Sequence, residues 1–159
     1  MPKERLLPIA DKIYMFVDAA RSWNAMLKAA KRDGVLIKVN HPFNTYRTFE
    51  SQEREFKHRF TPIESRADIR EGAIRVEYEG RVWQLNNGQT FAQVPGFSSH
   101  CYGLAVDIQN EGVKATRDWL NANAESFGFK REFDFEPWHF TYVRGREGLS
   151  ARVLEIEKE

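Results

Sequence analysis

The sequence holds one cysteine, Cys101, in 159 residues, so no internal disulfide can form and stability has to come from a core. A chain of this length buries roughly 70% of the surface its unfolded form exposes, enough for one compact domain. No run approaches the roughly 20 apolar residues of a membrane-spanning helix. The first eleven residues carry Lys3, Glu4 and Arg5 before a short, broken apolar patch, which does not match the apolar region of a signal peptide. An excess of one charge is also lacking. Lys and Arg total 24 against 23 Asp and Glu, a formal net charge of +1, and this balance gives no global attraction to nucleic acid or anionic membrane. Arg144 and Arg146 alone make no basic stripe. A protein made in a reducing cytosol, without a nucleic-acid partner and monomeric, is the expectation. Function then has to be read from a site.

Helical spacing of Ile9, Ile13, Phe16, Val17, Ala20, Met26, Leu27 and Ala30, closed by Gly34, predicts one long amphipathic helix over Pro8 to Arg32. Leu36 to Val39 reads as a short strand entering a turn at Asn40, His41 and Pro42. Ser51 to Phe60 reads as a short helix with Phe56 and Phe60 on its apolar side. Between Ala73 and Leu85 the alternation of Ile74, Val76 and Tyr78, the Glu79-Gly80 turn and the return through Val82 predict a hairpin. Asn86 to Pro95 is polar and turn-rich. Leu104 to Ile108 reads as a buried strand, Val113 to Phe127 as a helix closed by Gly128, Phe140 to Val143 as a strand and Leu149 to Ile156 as a terminal helix. There is no repeat or linker. The fold class is α+β, a single domain over residues 1–159 with a small central antiparallel sheet flanked by helices.

Chemistry concentrates in Ser98-Ser99-His100-Cys101-Tyr102-Gly103-Leu104-Ala105-Val106-Asp107 and, downstream, Glu136-Pro137-Trp138-His139. His100, Asp107 and His139 supply the three nitrogen or carboxylate ligands common at catalytic zinc, which leave a fourth position open. Asp107 interrupts an apolar strand, where a carboxylate is costly unless a cation compensates it. A metal that activates water for attack on a peptide carbonyl still needs a group to move the proton. Glu136, three residues before His139, is placed for that, and Pro137 stiffens the backbone between them. Gly103 lets the chain bend or a substrate backbone approach. Cys101, pointing away from His100 in an extended segment, reads as a small buried hydrophobe. His41 and His58 read as surface residues. For Trp138, core packing and the wall of a substrate cleft are equally open.

The pattern S-x-H-x-x-G-x-A-x-D followed by E-x-W-H resembles the zinc D-Ala-D-Ala peptidases of the VanX and VanY type, a family that includes phage endolysins. That resemblance implies a hedgehog/D-Ala-D-Ala peptidase-like fold, Zn²⁺ bound by His100, Asp107 and His139, and Glu136 as general base. Tyr46-Arg47 with Gln52 five residues beyond the Arg is similar to an upstream motif of the same family. It implies that Arg47 contacts the carbonyl that becomes an oxyanion, with Ser98 and Gln52 binding substrate. The implied partner is the stem peptide of peptidoglycan and the implied activity D-alanyl-D-alanine carboxypeptidase. Glu-Pro-Trp-His and Pro95-Gly96 look like the carboxypeptidase branch, whereas a short chain without an export signal looks like an endolysin that a holin releases to the wall. An L-alanyl-D-glutamate endopeptidase and a non-catalytic wall-binding zinc module are the alternatives, the latter disfavoured by Glu136 and Arg47.

Overall fold

The computed structural model describes residues 3–10, 13–39 and 45–159; His41 and the turn expected at 40–42 lie outside them. The chain begins with a strand pair, β1 (Leu6–Ala10) and β2 (Ile13–Phe16), antiparallel with Pro8 opposite Tyr14. The expected helix from Pro8 therefore starts only at Val17, as α1 (Val17–Arg32). Ile9, Ile13 and Phe16 fit a 3.6-residue period, but Ile13 and Met15 are buried while Tyr14 is exposed, the period of two that marks a half-buried strand. Proline is tolerated in this two-stranded ribbon because its missing N–H can face outward.

Leu36 to Val39 forms no strand. Only an isolated bridge joins Val39 to Ile108. Helix α2 (Phe49–Arg59) starts where the Thr48 hydroxyl accepts from the Ser51 N–H, and it leads directly into β3 (Phe60–Pro62). The expected hairpin is present as β4 (Arg75–Tyr78) and β5 (Arg81–Leu85). Glu79 and Gly80 both have positive φ, 51° and 71°, as the tightest hairpin turns require. Strands β3, β5 and β4 form a three-stranded antiparallel sheet in that order.

The central sheet is β6 (Ala105–Asp107), β8 (His139–Tyr142) and β7 (Phe129–Arg131), antiparallel with β8 in the middle. Helix α3 (Lys114–Asn123) continues as a 3-10 turn to Phe127 and ends at Gly128, φ 84°. The terminal helix α4 (Ala151–Glu157) buries Val153 and Ile156. The architecture is α+β, with the antiparallel strands of the described residues divided among three small sheets rather than gathered into one.

Among the described residues two apolar clusters result. The larger packs Trp23 and Met26 of α1 and Trp119 and Leu120 of α3 with Val106, Phe129, Phe140 and Tyr142 of the central sheet and Val153 and Ile156 of α4. The smaller packs Phe56 of α2 with Phe60, Trp83 and Ala92, partly covered by Val76, Tyr78 and Phe91. Phe56 lies stacked on Phe60 at 4.6 Å between ring centroids.

Candidate metal centre and cleft

Asp107 and His139 are direct cross-strand partners in the β6–β8 register. In an antiparallel pair such residues carry their side chains on one face with Cβ atoms about 4.5–5.5 Å apart. Sequence distance is thus erased by the sheet: 32 residues of chain separate an imidazole and a carboxylate whose Nδ1 and Oδ1 lie 3.0 Å apart. His100 comes from the 3-10 turn Ser99–Tyr102 just before β6. That turn ends at Gly103, φ 66°, and the Leu104 N–H returns to the Ser99 carbonyl. A Cβ on Gly103 would lie 2.7 Å from the Phe16 nitrogen and 3.3 Å from the Met15 carbonyl carbon. The glycine therefore serves a close approach of β2, and the Phe16 N–H donates to the Gly103 carbonyl at 2.8 Å.

The Nε2 of His100 lies 3.6 Å from Asp107 Oδ1, and one donor atom from each of His100, Asp107 and His139 falls within 4.8 Å of the others. Ligand bonds of about 2.0–2.2 Å place tetrahedral donors roughly 3.3 Å apart, so two nitrogens and a carboxylate oxygen at this spacing suit zinc. All three side chains are buried. Among the described residues this is the one group of three such donors, and Cys101 is not part of it. Cys101 is half-buried, and burial pushes its thiol pKa up.

The outer nitrogens of both imidazoles are fixed as well. His100 Nδ1 lies 2.8 Å from the Thr45 carbonyl; a carbonyl only accepts, so Nδ1 carries the proton and Nε2 is turned to the metal site. The Arg47 N–H in turn donates to the His100 carbonyl at 3.1 Å. His139 Nε2 lies 3.2 Å from Glu132 Oε2. Burial opposes the charge on Asp107, but hydrogen bonds and charge from His100 and His139 outweigh it and hold the carboxyl at about 2. Burial likewise opposes the imidazolium of His139, and Asp107 with Glu132 outweighs it, so its pKa is raised.

These residues open into a cleft of about 510 Å³. One wall is Arg47 and Gln52 with Phe91, Ala92 and Gln93; the other is Ser98 to His100 with Glu132, Phe133, Phe135, Glu136 and Trp138. Gln52 is fully buried and uses both ends of its amide: Oε1 accepts from Arg47 Nη1 at 2.8 Å and Nε2 donates to the Gln93 carbonyl at 2.7 Å. Glu136 is half-buried in the turn whose carbonyl receives the His139 N–H at 3.0 Å. Ser98 is buried at the cleft edge, and Trp138, 42% exposed, faces the cleft. His58 is exposed.

All eight sequence-derived site residues therefore border one cleft. Sequence reasoning missed Glu132, Thr45, Ser99, Thr141 and the 79% exposed Phe97. Thr141 shares a face of β8 with His139, whereas Glu132 reaches His139 only because β7 lies beside β8.

A family model described as VanY, D-alanyl-D-alanine carboxypeptidase, matches residues 12–145. A D-alanyl-D-alanine carboxypeptidase of Enterococcus faecalis (strain ATCC 700802 / V583) is 30% identical over 132 residues, which cover 74% of this chain and 44% of that protein. The chain thus spans less than half of that relative's length. VanYB, solved in complex with D-alanine-D-alanine, is similar in fold with a TM-score of 0.58 and 24% identity, covering 96% of this chain and 87% of that one. A VanY D,D-pentapeptidase mutant from a VanB-type resistance cassette, solved with Zn(II), also has a TM-score of 0.58 and 24% identity, over 99% and 93% of the two chains. The LD-carboxypeptidase LdcB gives 0.54 at 22% identity, over 94% of this chain and 66% of that one. By the extent of the sequence match, this chain belongs to the VanY family of D-alanyl-D-alanine carboxypeptidases.

Proposed function

We propose that the protein is a zinc carboxypeptidase that removes the terminal D-alanine from peptidoglycan stem peptides and so acts at the bacterial cell wall. The supporting observation is the convergence of His100, Asp107 and His139 at the floor of a cleft that also holds Arg47 and Glu136. Membership of the VanY family and the D-alanine-D-alanine complex of its structural relative VanYB point to the same substrate.

His100, Asp107 and His139 would hold zinc, which when bound supplies a Lewis acid that polarises a carbonyl and makes water a better nucleophile at neutral pH. Glu136 takes the proton of the attacking water and passes it to the departing amine, the bond broken being the amide C–N. Arg47 is aimed by Gln52, whose burial and second hydrogen bond to Gln93 leave it little freedom. Its guanidinium donates to the carbonyl oxygen as negative charge develops there, an interaction stronger in the transition state than in the ground state. Phe97, Phe135 and Trp138 line the cleft and offer the peptide apolar surface. Ser98 at its edge is suited to a hydrogen bond with the peptide.

Glu136→Gln should keep zinc while turnover falls by about 10²–10⁴-fold, and His139→Ala should lose the metal by elemental analysis. Full turnover in the Gln variant would refute the role of Glu136. Mass analysis of muropeptide products tests the bond: loss of one alanine identifies the carboxypeptidase, and separation at L-Ala-D-Glu identifies the endopeptidase activity of endolysins instead.

A further inference from the structure

We infer that Glu132 is a positioning residue for the metal centre, holding the outer nitrogen of His139 so that Nδ1 is presented to the ion. The inference rests on the metal-site reading above. Strands β7 and β8 pair from Phe129 opposite Tyr142 to Arg131 opposite Phe140, where β7 ends, and the chain leaving β7 brings Glu132 beside His139, the first residue of β8. Asp107 is opposite His139 on the other side. The imidazole thus stands on the middle strand with a carboxylate on each flank, its Nδ1 3.0 Å from Asp107 Oδ1 and its Nε2 3.2 Å from Glu132 Oε2.

The two carboxylates differ in surroundings. Asp107 is buried and belongs to the donor set. The Glu132 side chain is 41% exposed on the cleft wall, and what orients it is Thr141, whose Oγ1 donates to the same Oε2 at 2.7 Å. Thr141 is two residues from His139 on β8, and so on the same face. Thr141 Oγ1 itself lies 3.2 Å from His139 Nε2, and Ser99 Oγ lies 3.4 Å from both atoms, so two hydroxyls flank Nε2 and Glu132 is the charged group against it. An ionised carboxylate is acceptor-only. It therefore selects the ring form with hydrogen on Nε2 and the lone pair on Nδ1, and its charge makes that lone pair more basic. Such partners of ligating histidines commonly change metal affinity by about 10–100-fold. Phe133, one residue on, lies against the His139 ring at 5.7 Å between centroids and limits its rotation.

The test is zinc affinity of the full chain, measured by competition with a chromophoric chelator in the absence of substrate. Glu132→Ala should bind zinc about 10–100-fold more weakly with an unchanged melting temperature for the metal-free protein, because the side chain is half in solvent. Glu132→Gln should recover part of the loss, since its amide oxygen still accepts the N–H without the charge. In the zinc-loaded parent the His139 Nε2–H should give a downfield proton resonance protected from exchange, absent in the Ala variant. Parental zinc affinity in Glu132→Ala, or a protected Nε2–H without Glu132, would overturn the inference while leaving the metal-centre reading intact. Failure of the parent to bind zinc would overturn both.

Discussion

Asp107 shows how much one residue can disclose. A carboxylate within Leu-Ala-Val-Asp-Ile is legible in the sequence as an anomaly, because no solvated strand face needs it there. The structure supplies the compensation: two imidazoles within 3.6 Å of Oδ1. Its pKa is depressed, so its contribution to stability exists above the ordinary carboxyl value of 3.8 and is lost as pH falls toward about 2. In the metal-free protein, the stability gap between parent and Asp107→Asn should therefore narrow on going from pH ~4 to ~2, by on the order of 2 kcal/mol. Urea unfolding at a series of pH values measures it; a gap that widens toward acid contradicts the assignment. Glu132 is the opposite case. It follows Lys130 and Arg131 and precedes Asp134 in an ordinary charged stretch, and nothing short of the β7–β8 pairing distinguishes it from a solvated side chain.

At the scale of elements, signals held within a few residues were legible and signals that depend on pairing were not. The Glu79-Gly80 hairpin, α2, the α3 end at Gly128 and α4 follow local rules of periodicity and capping. The β1–β2 ribbon does not, because three apolar residues can satisfy two periods and only the partner strand decides between them. The short strand expected at Leu36–Val39 reduces to one bridge, with Leu36 65% exposed. Gly103 joins both levels. The sequence marks it as a bend between two ligands; the structure adds the β2 backbone lying against its Cα. Gly103→Ala should cost about 1–2 kcal/mol for the left-handed conformation and about 1–3 kcal/mol more for overpacking. Calorimetry measures it, and because β2 and the His100 turn must part to admit the methyl, zinc affinity should fall as well. An alanine variant with the parental melting temperature would show that the turn can relax freely.

At the scale of the molecule, the cleft runs along the boundary between the two apolar clusters. The metal ligands, Glu132 and Glu136 stand on the side of the larger cluster, while Arg47, Gln52 and Gln93 stand on the side built over Phe56 and Trp83. The smaller cluster is thus the support on which Arg47 is aimed. Phe56→Ala should destabilise the fold by about 3–5 kcal/mol and lower turnover through loss of Arg47 positioning, with a smaller fall in zinc affinity, because His100 alone of the ligands is tied to that side, through the Thr45 carbonyl and the Arg47 N–H. Loss of zinc in this variant would show the two sides to be less separable than their packing indicates. The two-sided layout was invisible in the sequence, where the motif residues of both walls appear as one series.

The pairing of Asp107 with His139 has a consequence for assembly of the site. A slip of one residue between β6 and β8 sends every side chain of a strand to the opposite face, so two ligands seated directly across from each other exist in one register and in no neighbouring one. An ion seated between them would act as a staple at the end of the β6–β8 ladder. The same contact that prepares the chemistry would then also certify that the strands had been joined correctly.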